Sequence, residues 1–295
     1  MTAPPTPLPA NLRSLTAKTT VKVALGLVAI KSITFLVTNS SGILGSAADS
    51  LFDVCASLLV LWAILEAERP ADADHPWGHG KAEGLASLFQ GVLVMTAGLG
   101  LVAHTITRFF NSNDDGFRMP ALGIVVMLVS SVATIWLVNN LKRTASKTNS
   151  PALAADSKHY TSDLLINLSV IAGLATGFFI EDRWPDLVIG ICIALIILNS
   201  SREIILSSIE ILMDRGLKAK ESRAILDAVQ QFAPCVAGFH DLRSRRSGAD
   251  IFIELHLDLT RDLSFVEAHD LSEDVGEAIR RKLTNATITV HADPL

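Results

Sequence analysis

Two carboxylates stand inside a stretch of the sequence that is otherwise apolar enough to cross a membrane. Asp49 and Asp53 lie four residues apart within residues 43–65, and about 20 residues of helix cross a bilayer. A carboxylate at that depth costs about 2.5 kcal/mol or more on insertion. Because residues i and i+4 share one face of a helix, both acids should lie on the same side, one turn apart. Paired acids facing the interior of a helical bundle indicate a site for a divalent cation.

A second pair with the same spacing begins the fifth apolar stretch. His159 and Asp163 are again four residues apart, and Asn167 continues their face. Brought together, the two pairs would supply four ligands: Asp49, Asp53, His159 and Asp163. Three carboxylates and one imidazole suit Zn²⁺ in tetrahedral geometry, and Mn²⁺, Fe²⁺ and Cd²⁺ are compatible with the same ligand types. In the alternative, the acids pair with lysines such as Lys31 and only hold helices together, but four ionisable groups in two spans exceed what packing tolerates.

Such a site would bind metal and protons competitively, because carboxylates and imidazoles must be deprotonated to bind a metal. Histidine titrates nearest to neutral pH, which makes His159 the expected proton carrier. A site that faces the two sides of the membrane in turn would therefore exchange a cation for protons. Protons entering a less acidic cytoplasm would drive the metal outward.

Two further groups of candidate ligands lie outside the apolar stretches. Asp72, His75 and His79 have metal-compatible spacing in a loop rich in Pro and Gly, although a solvated polar loop is the alternative. The last third of the chain supplies a larger set: His240, His256, His269, His291 and Asp293. Strand alternation would place three of these histidines on the polar face of one sheet, and exposed histidines without a ligand are the alternative.

One pair of opposite charges stands where a membrane domain and a soluble domain should meet. Lys81 and Asp214 could form an ion pair at that junction, which contributes little if it is exposed and more if it is buried. Two unrelated surface charges are the alternative.

Composition predicts a membrane domain followed by a small soluble one. The 295 residues are 49% hydrophobic and 19% charged, which is unusually apolar for a soluble domain of this length. The net charge of −5 gives no indication of nucleic-acid binding, and the three cysteines are too isolated to predict a disulfide framework. Six apolar stretches are predicted to span the membrane: residues 21–37, 43–65, 85–107, 119–138, 164–180 and 187–206.

These stretches define three segments of the chain. The proline-rich residues 1–20 are predicted to form a flexible tail, residues 21–212 a six-helix transmembrane domain, and residues 213–295 a cytoplasmic domain with the element order α-β-β-α-β. Lys and Arg concentrate at one set of span ends, and the other set carries only Arg108, Arg118 and Arg183. The positive-inside rule therefore places both termini in the cytoplasm.

Several short patterns along the chain together carry a family resemblance: Asp49-Ser-x-x-Asp53, Asp72-x-x-His75-x-x-Gly-His79-Gly-Lys-x-Glu, His159-Tyr-x-Ser-Asp163, Asp214-Arg, His240-Asp-Leu-Arg, His256, His269 and His291-x-Asp293. With these patterns, the sequence resembles the cation diffusion facilitator family over nearly its whole length. Within that family it is most similar to the bacterial branch that exports zinc and ferrous iron.

The resemblance implies a homodimer of six-span subunits in the bacterial inner membrane, each with a metallochaperone-like cytoplasmic domain. It implies that the two intramembrane pairs form the transport site and that the loop residues form a second site. The residues of the last third would form a binuclear site at the cytoplasmic dimer interface. Lys81 and Asp214 would form a charge pair that holds the dimer together near the membrane surface.

The function expected from these observations is proton-coupled export of Zn²⁺, with Cd²⁺ or Fe²⁺ as alternative substrates, by a transporter rather than an enzyme. The alternative is a membrane-anchored metal sensor whose soluble histidine cluster is the functional site. An intramembrane metallohydrolase is disfavoured because the sequence has no His-Glu-x-x-His signature. One residue departs from the family pattern: Lys158 stands where the relatives carry an apolar residue. Its charge could weaken metal or proton binding at His159, or its side chain could extend to the interface without effect.

Overall fold

The computed structural model describes residues 11–38, 41–110, 121–179, 184–283 and 285–295. The chain divides into two compact units, residues 1–208 and residues 209–295. Six long helices form the first unit, and the last of them ends just beyond it: α1 (Leu12–Thr38), α2 (Ser41–Ala67), α3 (Lys81–Phe110), α4 (Ala121–Thr148), α5 (Pro151–Phe179) and α6 (Trp184–Leu212). The second unit begins four residues before the boundary predicted at residue 213.

The helices of the first unit are those of a membrane protein. Within the described residues, α1, α2, α3, α4 and α6 are each long and apolar enough to cross a bilayer. Large apolar side chains on their outer faces, such as Leu36, Phe52 and Val132, are exposed in the single chain. The helix α5 begins at Pro151, before the predicted span of residues 164–180, and its crossing of the membrane remains a prediction. Met119, Ile180, Arg118 and Arg183, which entered the span and orientation predictions, lie outside the described residues.

Small residues bring α3 and α6 close together. A Cβ atom on Gly98 would lie 2.9 Å from Leu198 Cδ2, and one on Gly91 would lie 2.8 Å from Ile205 Cγ1. Ser201 Oγ also donates a hydrogen bond to the Gly91 carbonyl at 3.0 Å. Close approach of this kind, combined with hydrogen bonds from hydroxyl groups, is how helices associate where water is absent.

Three helix ends meet around Glu83, the third residue of α3. Its buried carboxylate accepts a hydrogen bond from Arg13 Nη1 of α1 at 2.7 Å, and Ser150 Oγ, just before α5, donates to the other oxygen. Arg13 lies inside the segment predicted to be a flexible tail. Residues 1–10 lie outside the described residues, but residues 12–20 are helical because the prolines end at Pro9 and the Leu15 N–H donates to the Asn11 carbonyl. The helix α1 therefore begins nine residues before the predicted span at residue 21.

The second unit has the predicted element order α-β-β-α-β. It contains α7 (Ala219–Val229), β1 (Val236–Ser247), β2 (Asp250–Leu259), α8 (Phe265–Lys282) and β3 (Ala286–Pro294). The sheet order is β1-β2-β3, with β1 antiparallel and β3 parallel to the central strand β2.

Alternation along β2 separates a core face from a polar face. Ile251, Ile253, Leu255 and Leu257 are buried and pack against residues of α7 and α8 such as Ile225 and Ile279. The residues between them, among which is His256, therefore lie on the opposite face of the sheet. This confirms the predicted alternation, and it places the histidine-bearing face away from the core.

Candidate metal centres

Three of the four predicted intramembrane ligands come together between α2 and α5. His159 Nε2 lies 3.3 Å from Asp53 Oδ1 and 3.8 Å from Asp163 Oδ2. One ligand atom from each of the three side chains lies within 4.8 Å of the others. His159 Nε2 and Asp163 Oδ2 are buried, and within the described structure neither has a hydrogen-bond partner. Two carboxylates and an imidazole with unpartnered buried atoms are a donor set that a divalent cation can bind.

The packing of α2 against α5 positions this group. Tyr160, the residue after His159, is buried, and its hydroxyl lies 2.8 Å from Ser57 Oγ. Ser57 is one turn after Asp53 on α2, so this hydrogen bond fixes the two helices beside the ligands. The i, i+4 spacing then places His159 and Asp163 on the same face of α5.

The structure does not bring Asp49 into the group. Asp49 lies one turn before Asp53 on α2 and is exposed in the single chain. Four residues advance a helix by about 6 Å along its axis, so Asp49 could reach the ligands around His159 only by extending along α2. Lys31, the suggested structural partner of the acids, donates to Ser50 Oγ at 2.6 Å and to the Ser46 carbonyl at 3.3 Å.

Lys158 pairs with a residue that the sequence analysis did not consider. Its Nζ lies 2.9 Å from Glu203 Oε2 of α6, and Asn199 Nδ2 donates to the other carboxylate oxygen at 3.2 Å. The positive charge beside His159 is therefore matched by a carboxylate on the neighbouring helix. Of the two predicted outcomes for Lys158, neither included an ion pair between α5 and α6.

The loop between α2 and α3 brings its three candidate ligands together, with one ligand atom of Asp72, His75 and His79 within 4.8 Å of the others. The backbone N–H of His75 donates a hydrogen bond to Asp72 Oδ1 at 2.7 Å, and this hydrogen bond lowers the pKa of the Asp72 carboxyl. His79 Nε2 lies 3.4 Å from Asp72 Oδ2. The positive φ of Gly78 (78°) favours glycine at the turn between the two histidines.

The sheet of the second unit aligns three of its histidines across adjacent strands. His240 faces His256 in the register of β1 and β2, and His256 faces His291 in the register of β2 and β3. Asp293 contacts all three, with Oδ2 at 2.8 Å from His256 Nδ1 and 3.4 Å from His240 Nε2, and Oδ1 at 2.8 Å from His291 Nδ1. The hydrogen bond from His256, together with the charges of the other imidazoles, lowers the pKa of Asp293. The carboxylate is thereby kept in the ionised form that binds metal.

Asp258 is a member of this cluster that the sequence analysis missed. Its Oδ1 lies 2.9 Å from His240 Nδ1, an arrangement in which a carboxylate fixes the imidazole and leaves Nε2 as the ligand atom. Its place beside His256 on the polar face of β2 could have suggested it. His269, by contrast, lies exposed on α8 and is not part of the three-residue group formed by His240, His256 and Asp293 in the single chain.

The predicted pair of Lys81 and Asp214 involves both units and stays a prediction. Lys81 is the first residue of α3 in the first unit. Asp214 belongs to the second unit, where its Oδ2 lies 3.7 Å from Arg245 Nη1.

Comparison with known proteins places both units in one family. The family profile described as the cation efflux transmembrane domain matches residues 18–213, and the profile of the cation efflux protein cytoplasmic domain matches residues 217–295. The chain is 35% identical over 286 residues to the cation-efflux pump FieF of Pectobacterium atrosepticum, covering 97% of this chain and 94% of that relative. It is also 35% identical over 281 residues to FieF of Shewanella oneidensis, covering 95% and 94%.

Among solved structures, CzrB in its Zn form is 30% identical, covering 28% of this chain and 92% of that chain with a TM-score of 0.26. The two profiles, which together match almost the whole chain, and the full-length similarity to efflux pumps agree with the metal-compatible groups in both units. The chain belongs to the cation diffusion facilitator family and is a multi-pass membrane transporter of divalent metal cations.

Proposed function

We propose that the protein is a proton-coupled antiporter that exports Zn²⁺, with Cd²⁺ or Fe²⁺ as alternative substrates, across the bacterial inner membrane. In this proposal α1 to α6 all span the bilayer, both termini are cytoplasmic, and two subunits form a homodimer. The observation that carries the proposal is the group of Asp53, His159 and Asp163 inside the helical unit.

The chemistry of this group favours a borderline cation over a hard one. An imidazole nitrogen and carboxylate oxygens are typical zinc ligands, whereas Mg²⁺ and Ca²⁺ prefer sets made of oxygen alone. Asp49 is proposed as the fourth ligand, which would require its side chain to turn along α2 toward His159. The four ligands of a tetrahedral site would then all come from α2 and α5.

Proton coupling follows from competition for the same atoms. In the absence of metal, His159 can hold a proton between the two carboxylates, since its Nε2 lies within 3.8 Å of both. A cation arriving from the cytoplasm must displace that proton, because imidazolium cannot bind a metal. When the site faces the more acidic outer side, protonation of the same residues releases the cation.

The other centres are proposed to act on this cycle without transporting metal. The cytoplasmic cluster of His240, His256, His291 and Asp293, completed by His269 at the dimer interface, would bind two cations and stabilise the dimer. The site of Asp72, His75 and His79 would bind a further cation in the loop. The Lys81–Asp214 pair would hold the dimer near the membrane surface.

Zinc uptake into inside-out vesicles with an imposed pH gradient tests the proposal. In such vesicles the exporter moves zinc inward, so an acidic lumen should accelerate zinc uptake and an alkaline lumen should slow it. A rate that does not respond to either gradient would contradict proton coupling. A sensor, the competing hypothesis, predicts no protein-dependent uptake under any gradient.

A further inference from the structure

Asp156 is a fully buried acid of the first unit that lies close to the intramembrane ligands but is not one of them. Asp156 on α5 and Gln90 on α3 are both 0% exposed. Gln90 Nε2 donates a hydrogen bond to Asp156 Oδ1 at 3.0 Å. The two remaining polar atoms, Asp156 Oδ2 and Gln90 Oε1, are buried, and neither has a hydrogen-bond partner among the described residues.

An ionised Asp156 would be costly in this position. A buried carboxylate needs several donors or a cation to offset its loss of hydration, and among the described residues the Gln90 amide is the one side-chain donor to it. Among the described residues, the ionisable groups near enough to act on it are His159, Tyr160 and Asp163 on α5 and Asp53 on α2. One imidazole therefore faces two further acids, and the neighbour on α3, Gln90, is uncharged.

One proton would satisfy both unpartnered atoms. Protonated at Oδ2, Asp156 becomes a donor, and Gln90 Oε1 is the acceptor on the same carboxamide whose nitrogen already binds Oδ1. A carboxylic acid and a carboxamide are complementary in this way, since each offers one donor and one acceptor side by side. The result is a neutral pair that joins α3 to α5.

The position of Asp156 on α5 links it to the metal site. It precedes His159 by three residues and Asp163 by seven, so all three lie on one face of the helix, and Asp156 is about 4.5 Å along the axis from His159. A divalent cation bound by the neighbouring ligands would raise the positive potential at Asp156 and favour its ionised form.

We propose that Asp156 is a proton-exchanging residue of the transport cycle. It holds a proton shared with Gln90 while the neighbouring site binds no metal. When a cation binds at Asp53, His159 and Asp163, the proton leaves Asp156 Oδ2 for the solvent, and Gln90 Nε2 continues to bind the carboxylate. This inference rests on the proposed function for the identity of the metal site, and it adds a proton that the ligands themselves do not carry.

The experiment counts the protons released when zinc binds to the full-length protein in detergent, using a pH-indicator dye in weak buffer. Asp156→Asn keeps the shape of the side chain and its neutrality but has no exchangeable acid proton. We expect it to release fewer protons per zinc than the wild type. The matched control is Ser157→Ala, which alters the adjacent buried residue without changing a charge and should release as many protons as the wild type. Equal release by Asp156→Asn and the wild type would overturn the inference while leaving metal–proton exchange at the ligands intact.

Infrared difference spectroscopy of the same proteins with and without zinc supplies a measurement that does not depend on zinc affinity. The metal-free wild type should show the carbonyl band of a protonated carboxylic acid that disappears when zinc is added. The band should be missing from Asp156→Asn and present in Ser157→Ala. A band that persists in Asp156→Asn would overturn the inference, whereas a wild type that releases no proton at all would overturn the proposed antiport itself.

Discussion

Replacing Glu83 by Gln should destabilise the helical unit measurably. The Glu83 carboxylate is 0% exposed and is bound by Arg13 Nη1 at 2.7 Å and by Ser150 Oγ. Hydrogen bonds to charged groups contribute about 1.5–3 kcal/mol, and breaking a buried ion pair costs about 3–5 kcal/mol. In the variant, Arg13 would still have a second carboxylate, Glu68, at 3.7 Å, and the Arg13 side chain is 18% exposed. The cost should therefore fall in the range for a hydrogen bond to a charged group, at about 2 kcal/mol.

The assay is equilibrium unfolding of the detergent-solubilised protein with increasing SDS, followed by tryptophan fluorescence. A loss of about 2 kcal/mol raises the unfolded-to-folded ratio about 30-fold. Arg69→Gln is the matched control because it breaks a similar but exposed pair, Arg69 with Glu66 at 2.6 Å, which should change stability by less than about 1 kcal/mol. If Glu83→Gln is no more harmful than Arg69→Gln, the assignment of Glu83 as the tie between the helix ends is wrong.

Three further predictions concern packing, capping and acid stability. Gly91→Ala should cost about 1–3 kcal/mol of stability because the added methyl group presses on α6. Gly100→Ala on the same helix, where an added Cβ has nothing within 4 Å, should leave the stability measured in the same SDS titration unchanged. Ser264→Ala removes the capping box of α8, which is worth about 1 kcal/mol, and should raise hydrogen exchange at the first turn of α8 about fivefold. The lowered pKa of Asp293 means that its stabilising effect is present above the usual carboxyl pKa and is lost as pH falls through the lowered value. Metal-free Asp293→Asn should therefore lose less stability in acid than the wild type, as followed by circular dichroism. Equal losses of stability would contradict a stabilising effect of ionised Asp293.

Periodicity made the elements of both units predictable. The i, i+4 spacing of Asp49 with Asp53 and of His159 with Asp163 is visible in the sequence because side-chain direction along a helix follows a fixed period. The alternation of β2 is visible for the same reason, and it correctly placed His256 on the polar face. In both cases the prediction needed only residues that are neighbours in sequence.

Contacts between distant residues were not predictable in this way. Asp156 and Gln90 are separated by 66 positions and Arg13 and Glu83 by 70, so their pairing depends on which helices pack together and at what height. The same limit explains Asp49. Its spacing from Asp53 is that of a shared face, but the level at which His159 meets α2 decides which acid it contacts, and no local pattern encodes that level.

Zinc transport by Asp53→Ala in reconstituted vesicles with a pH gradient tests the central claim most directly. The account predicts that uptake falls to the level of protein-free vesicles, because Asp53 is the acid of α2 that lies closest to His159, with its Oδ1 3.3 Å from His159 Nε2. The matched control is His291→Ala, which alters the cytoplasmic cluster and should retain gradient-driven uptake. Full transport by Asp53→Ala, or its loss only in His291→Ala, would contradict the account.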